Sequence, residues 1–155
     1  MIKCFLFLVG SIQLACNDLG QTVPPQLPLG DLLAAPETLS IGGKSLVLST
    51  SLWRSFMPIV TQSSTGLAAV VYIQTTDSTA PPNSISSDVI WIVQGQEIWA
   101  SFLRDTSPTR PNVIAKFASN GPGWDGPVDV IIRVLDNRGT YRLLRAANRH
   151  VGRVY

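Results

Sequence analysis

Charge is scarce in this chain. Asp, Glu, Lys and Arg make up 14% of its 155 residues, against the ~25% usual in soluble proteins. The net charge is +2, so the field of the whole molecule is weak. Nucleic-acid binding by a bulk basic surface is not supported. His150 is the only histidine, and Ser/His/Asp or Cys/His chemistry would have to run through that one residue. Two cysteines, Cys4 and Cys16, exclude a multi-disulfide scaffold. With one histidine they also fall short of the four ligands of a structural zinc site. No metal, cofactor or catalytic residue is expected. The chain shows no internal period. No apolar run reaches the ~20 residues of a bilayer-spanning helix.

The longest apolar run, Cys4 to Ala15, instead has the length of a signal-peptide core, about 7–15 residues, and follows Lys3. A buried N-terminal strand or helix is the competing reading of the same residues. Leu14-Ala15-Cys16 resembles the lipobox of bacterial lipoproteins. Ala15 fits the family pattern, whereas Gln13 and Leu14 stand where the family prefers Leu and a small residue. The resemblance covers only the first 16 residues. It implies removal of residues 1–15 as a signal peptide and acylation of Cys16. Once Cys4 has left, Cys16 has no disulfide partner. Lipid chains contribute ~0.8 kcal/mol per buried methylene, so a multiply acylated Cys16 would anchor the chain stably. The expected location is therefore the bacterial cell envelope. The chain would be exported and held to the membrane by lipid, facing the periplasm or the cell surface.

Residues 16–40 read as a Pro-rich tether. Pro24, Pro25, Pro28 and Pro36 fall there with Gly20 and Gly30, a composition that favours extended spacers. Asp31 to Ala35 could form one helical turn, ended by Pro36. Residues 41–155 read as one domain of short strands. Leu46, Leu48, Thr50 and Leu52 alternate with Val47, Ser49, Ser51 and Trp53, the period of a half-buried strand. Leu67 to Thr76 and Asn112 to Ala118 are further β-rich runs. Val89–Val93 and Glu97–Phe102 flank Gln94-Gly95-Gln96 as a hairpin. Val128–Leu135 and Thr140–Leu144 flank the turn Asp136-Asn137-Arg138-Gly139 as a second hairpin. The expected fold is all-β: a single β-sandwich of about seven short strands, with an immunoglobulin-like or fibronectin-like Greek key. The C-terminus has two readings, because Arg142, Arg145, Arg149 and Arg153 are spaced as one face of a helix. Strand to about Ala146, then an irregular or short helical tail, is favoured.

Candidate binding residues are few. Trp124 sits in the rigid loop Gly121-Pro122-Gly123-Trp124-Asp125-Gly126-Pro127. There it could either stack on a sugar ring or protein partner, with Trp53 as a possible companion, or fold back over an open end of the domain. Arg142, Arg145 and Arg149 could pair with local acids or bind anionic head groups and envelope glycans. Glu97, Asp105, Asp125 and Asp129 are the candidates for carboxylate-only hydrolysis, but their spacing pairs none of them. The leading expectation is a non-catalytic binding or accessory module of the cell envelope, with a protein or glycan partner. A carbohydrate-binding module using exposed Trp and a carboxylate-dependent hydrolase are the alternatives.

Overall fold

A computed structural model describes residues 23–56, 66–107 and 110–155. The proposed signal peptide and Cys16 lie outside these residues. After a single short helix, α1 (Leu29–Leu33), nine strands follow in the described chain: β1 (Thr38–Ile41), β2 (Lys44–Ser55), β3 (Leu67–Thr75), β4 (Ser86–Gln94), β5 (Glu97–Phe102), β6 (Arg104–Asp105), β7 (Ile114–Ala118), β8 (Gly126–Leu135) and β9 (Tyr141–Val154). The all-β class expected from the sequence is what forms.

The arrangement is a nearly closed, barrel-like sheet. Its strand order is β5-β4-β8-β9-β2-β3-β7-β6, with β1 alongside the first half of β2. All neighbours are antiparallel except β2 and β9, which run parallel where Trp53–Ser55 meets Gly152–Val154. The two ends of this path, β5 and β6, are consecutive in the chain, with only Leu103 between them. That residue is buried, and its N–H donates to the Asp88 carbonyl of β4 at 2.8 Å. The remaining gap in the ring is bridged by a covalent corner rather than by a ladder of hydrogen bonds.

A bulge joins the two halves of the sheet. β9 pairs with β8 from Tyr141 to Ala146 and again from Arg149 to Val151, but Asp129 faces both Ala147 and Asn148. An extra residue on one strand bends it and increases its twist, which carries the end of β9 across to β2. Asn148 takes a positive φ of 51°, a conformation that Asn tolerates better than most residues. The backbone groups freed by the bulge find acidic partners. Asn148 N–H donates to Asp129 Oδ1 at 2.7 Å, and Ala147 N–H donates to Glu37 Oε1 at 3.1 Å. The single acid in the apolar run Val128–Leu135 therefore has a structural task. The expected irregular or helical tail after Ala146 does not form, and the strand continues to Val154.

Alternation sorts the side chains. Leu46, Leu48 and Leu52 of β2, Leu67, Ala69, Val71 and Ile73 of β3, and Ile90 and Ile92 of β4 point into the barrel with Val128, Val130, Ile132, Val134, Leu144 and Val151. β4 is buried on both faces. Its other side, Val89, Trp91 and Val93, meets Ile131, Leu32 and Ala35 outside the barrel. This second layer comes from the stretch read as a tether. From Pro24 to Pro36 the chain lies over β4, β5 and β8 as a strap, with Leu27, Leu29 and Leu33 packed beside fully buried Leu32. The Trp91 indole N–H donates to the Pro25 carbonyl at 2.9 Å, meeting the need of a buried tryptophan for an acceptor. The Arg145 N–H donates to the Pro36 carbonyl at 2.8 Å. Proline makes the strap poor in regular structure, yet its leucines bury enough apolar surface to hold it down.

Candidate functional site

The arginines singled out in the sequence do not form one patch. Arg142 lies opposite Val134, Arg145 opposite Ile131 and Arg149 opposite Val128. Val134 and Val128 face the barrel interior, whereas Ile131 faces the strap. Arg145 therefore leaves the sheet on the other side from Arg142 and Arg149. Those two are seven residues apart on one strand, roughly 20 Å at the usual strand rise. Arg142 donates to the Ser40 carbonyl at 3.0 Å. Arg145 lies 4.0 Å from Glu37 and keeps a buried Nε without a hydrogen-bond partner. Arg149 is exposed. The helical spacing that grouped these residues has no helix beneath it.

Trp124 is half-buried and packs against the main core, as does Trp99. The adjoining Asp125 is held by two cations, with Oδ2 at 3.0 Å from both Arg54 and Arg153. Hydrogen bonding to Arg153 is the main cause that lowers its pKa, with further help from the charges of Arg153 and Arg54. Both guanidiniums also lie over the Phe56 ring, at 4.8 and 5.6 Å from its centroid, and Phe56 stacks on Tyr155. This cluster fastens the end of β9 to β2 at one rim of the barrel.

The other carboxylates are similarly engaged. Asp105 accepts from Lys116 at 2.6 Å, a contact that lowers its pKa. Asp77 accepts the hydroxyl and the N–H of Thr79 at 2.7 and 3.1 Å, and its pKa falls to about 2. Asp88 pairs with Arg133 and Asp136 caps its own turn. A general acid for hydrolysis needs a raised pKa, and the shifts of Asp77, Asp105 and Asp125 run the other way. Glu97 is exposed at the start of β5. His150 is exposed, with no hydrogen-bond or ion-pair partner among the described residues. Among the described residues no three His, Cys, Asp or Glu side chains gather as metal ligands.

A different surface stands out, on the side of the barrel away from the strap. Where β2, β3 and β7 lie side by side, register places Trp53 beside Ala68, Val70 between Ser51 and Phe117, and Tyr72 between Ser49 and Ala115. All of these alternate with core residues and so face outward. Trp53 and Phe117 have ring centroids 6.4 Å apart and planes within 30° of parallel. The Arg110 guanidinium lies 5.2 Å from the Tyr72 ring centroid, and that of Arg104 lies 6.0 Å from Phe117. Beside Tyr72 and Phe117 is a hollow of about 420 Å³, lined also by Val70, Asp105, Arg110 and Ala115 among others; Trp53 and Arg104 are not part of its lining. Its volume is within the usual size of small-ligand sites, about 300–1,000 Å³. Arg104 and Arg110 have no carboxylate partner among the described residues, although Arg104 donates to the Ser119 hydroxyl at 3.3 Å, and Asp105 pairs with Lys116 while its side chain stays 88% exposed.

Trp53 was legible as a candidate. Tyr72, Phe117, Arg104 and Arg110 were not, since they come from three strands and a loop. The available signal was β3 itself: in Leu67–Thr75 both alternating sets are largely apolar, although only one can face the core.

The chain matches no protein-family model, no curated protein and no solved structure.

Proposed function

We propose that the chain is an exported lipoprotein of the bacterial cell envelope, acylated at Cys16, whose barrel is a non-catalytic binding module. The outer face of β2, β3 and β7 is its docking surface. The observation that carries this reading is the contrast between the two outer faces. One is sealed by the strap, with Leu32 fully buried beneath it. The other presents Trp53, Tyr72 and Phe117 beside two arginines. Tryptophan, tyrosine and arginine are the residues that most often dominate recognition surfaces. The engagement of Asp77, Asp88, Asp105, Asp125 and Asp129 by cations, hydroxyls and N–H groups favours binding over acid–base catalysis.

Expression of the full chain in a bacterium fed a clickable fatty acid tests the anchor. Label and membrane association are expected for the parent and lost in Cys16→Ser. Unlabelled parent protein in the soluble fraction would refute the anchoring. The docking surface is tested by Trp53→Ala/Tyr72→Ala, which should abolish retention of the envelope partner that the parent binds.

A further inference from the structure

We propose that Asn120-Gly121 is a site of spontaneous covalent modification, held in check by the fold and released when the start of β3 parts from the loop between β7 and β8. The chemistry is deamidation of Asn120 through a cyclic imide, with water as the only co-reactant.

The fold itself requires this pair of residues. Asn120 has a φ of 65°, in the left-handed region that Asn enters more readily than most side chains. Gly121 is there for space. A Cβ on it would lie 2.9 Å from Leu67 Cβ and 3.2 Å from both the Leu67 carbonyl oxygen and the Trp99 ring, so the close approach of the two backbones needs glycine. The same two residue types make the site reactive. An asparagine amide carbon is attacked by the backbone nitrogen of the next residue, and a side chain on that residue hinders the approach. Asn112 and Asn148 also have positive φ, but Val113 and Arg149 follow them. Of the asparagines in the chain, Asn120 alone precedes a glycine.

In the first step the Gly121 nitrogen bonds to Asn120 Cγ and the Cγ–Nδ2 bond breaks. Ammonia leaves and takes the Gly121 amide proton with it. Water then opens the imide at either carbonyl. One opening gives aspartate. The other gives isoaspartate, whose main chain runs through the former side chain and is one methylene longer. Nothing is oxidised or reduced.

The folded chain opposes the first step. The Gly121 N–H donates to the Leu67 carbonyl at 3.0 Å, and the Leu67 N–H donates back to the Gly121 carbonyl at 3.2 Å. The attacking nitrogen is thus tied through its own hydrogen to a fully buried residue. Asn120 is exposed, so the restraint acts on the nitrogen rather than on the access of water. Reaction requires the Leu67–Gly121 pair to open, and its rate follows the open fraction, as hydrogen exchange at the same amide does. The longer main chain of isoaspartate would then shift Gly121 from its place opposite Leu67.

The test incubates the full chain in mildly alkaline buffer, native and unfolded in urea, and follows each asparagine by peptide mapping and mass spectrometry. In urea Asn120 should react first and give both products. In the native chain it should react roughly tenfold more slowly or less, and its rate should rise in step with hydrogen exchange at the Gly121 amide as sub-denaturing urea is added. Gly66→Ala, whose Cβ would sit 2.6 Å from the Gly121 carbonyl oxygen, should loosen the pair and raise the native rate severalfold. The sub-denaturing series needs no substitution and decides the matter if that variant does not fold. Asn120→Gly, which tolerates the positive φ and lacks the amide, should abolish the modification there. A native rate equal to the unfolded one would overturn the inference. So would another asparagine reacting before Asn120 in urea, or a native rate that stays level while exchange at Gly121 quickens.

Discussion

Leu32→Ala separates a free tether from a docked strap. Leu32 is fully buried against Trp91, Val89 and Ile131 on the outside of the sheet. Burying a leucine side chain is worth about 1.5–3 kcal/mol, and the cavity left by truncation raises the cost of Leu→Ala to about 2.7–5 kcal/mol in a filled core. The cost here has a ceiling. The strap can lift away while the barrel stays folded, so the loss cannot exceed the free energy of its docking. We therefore expect about 2–3 kcal/mol. In urea, with a slope near 2 kcal/mol/M, this lowers the midpoint by roughly 1–1.5 M. The assay is urea unfolding followed by tryptophan fluorescence and, in parallel, by far-UV circular dichroism. If the strap lifts first, fluorescence changes before circular dichroism, because Trp91 loses both its cover and its bond to the Pro25 carbonyl. A change below 0.5 kcal/mol, with both probes coincident and unshifted, would refute the docking.

Three other outcomes follow from the fold. Asp129→Ala strips the acceptor from the Asn148 N–H at the bulge and should cost about 1–2 kcal/mol, with faster hydrogen exchange at that amide; Asp129→Asn, which keeps a carbonyl oxygen, should cost less. Gly66→Ala would place a Cβ 2.6 Å from the Gly121 carbonyl oxygen, where the chain pairs back to back across Leu67. Overpacking against backbone should cost about 1–3 kcal/mol, read as a lowered melting temperature, while Gly43→Ala, with nothing within 4 Å, should show only the milder penalty of its positive φ. Acid should weaken the fold: Asp77 has a folded pKa of about 2 against an ordinary 3.8, and Asp105 and Asp125 are lowered too. Their stabilisation is present above the unfolded value and is lost as pH falls through the folded one. The urea midpoint should hold level down to about pH 5 and decline from about pH 4 towards pH 2, and a midpoint flat to pH 2 would contradict this.

The local elements were legible where one rule sufficed. Period two marked β2, and Gly95, with a φ of 61°, turns the β4–β5 hairpin in two residues, one fewer than its sequence suggested. The Asp136–Gly139 turn announced the β8–β9 hairpin. What escaped depended on contacts distant in sequence. Arginines at 142, 145, 149 and 153 carry a helical spacing, but on β9 Arg145 leaves one side of the sheet and Arg142 and Arg149 the other, the bulge at Ala147–Asn148 having shifted the strand's parity between them. Proline disguised the strap, since composition reports local stiffness and not what Leu32 covers. Closure through Leu103 depends on β5 and β6 reaching opposite ends of the strand order, information that no local window holds. The hollow is assembled from β3, β6, β7 and Arg110 in the same way, so its members have no shared spacing in the chain.

The docked strap also sets where the barrel can sit. A free tether of residues 16–40 would let the domain range some 80–90 Å from its anchor when extended, at about 3.3–3.6 Å per residue. With the chain pinned from Pro24 onwards, an acylated Cys16 has only residues 17–23 as its leash, about 25 Å at full stretch. An anchored barrel would then stay within about that distance of the bilayer. Under such a mooring, lengthening the leash would change the height of the barrel above its anchor without altering the outer face of β2, β3 and β7.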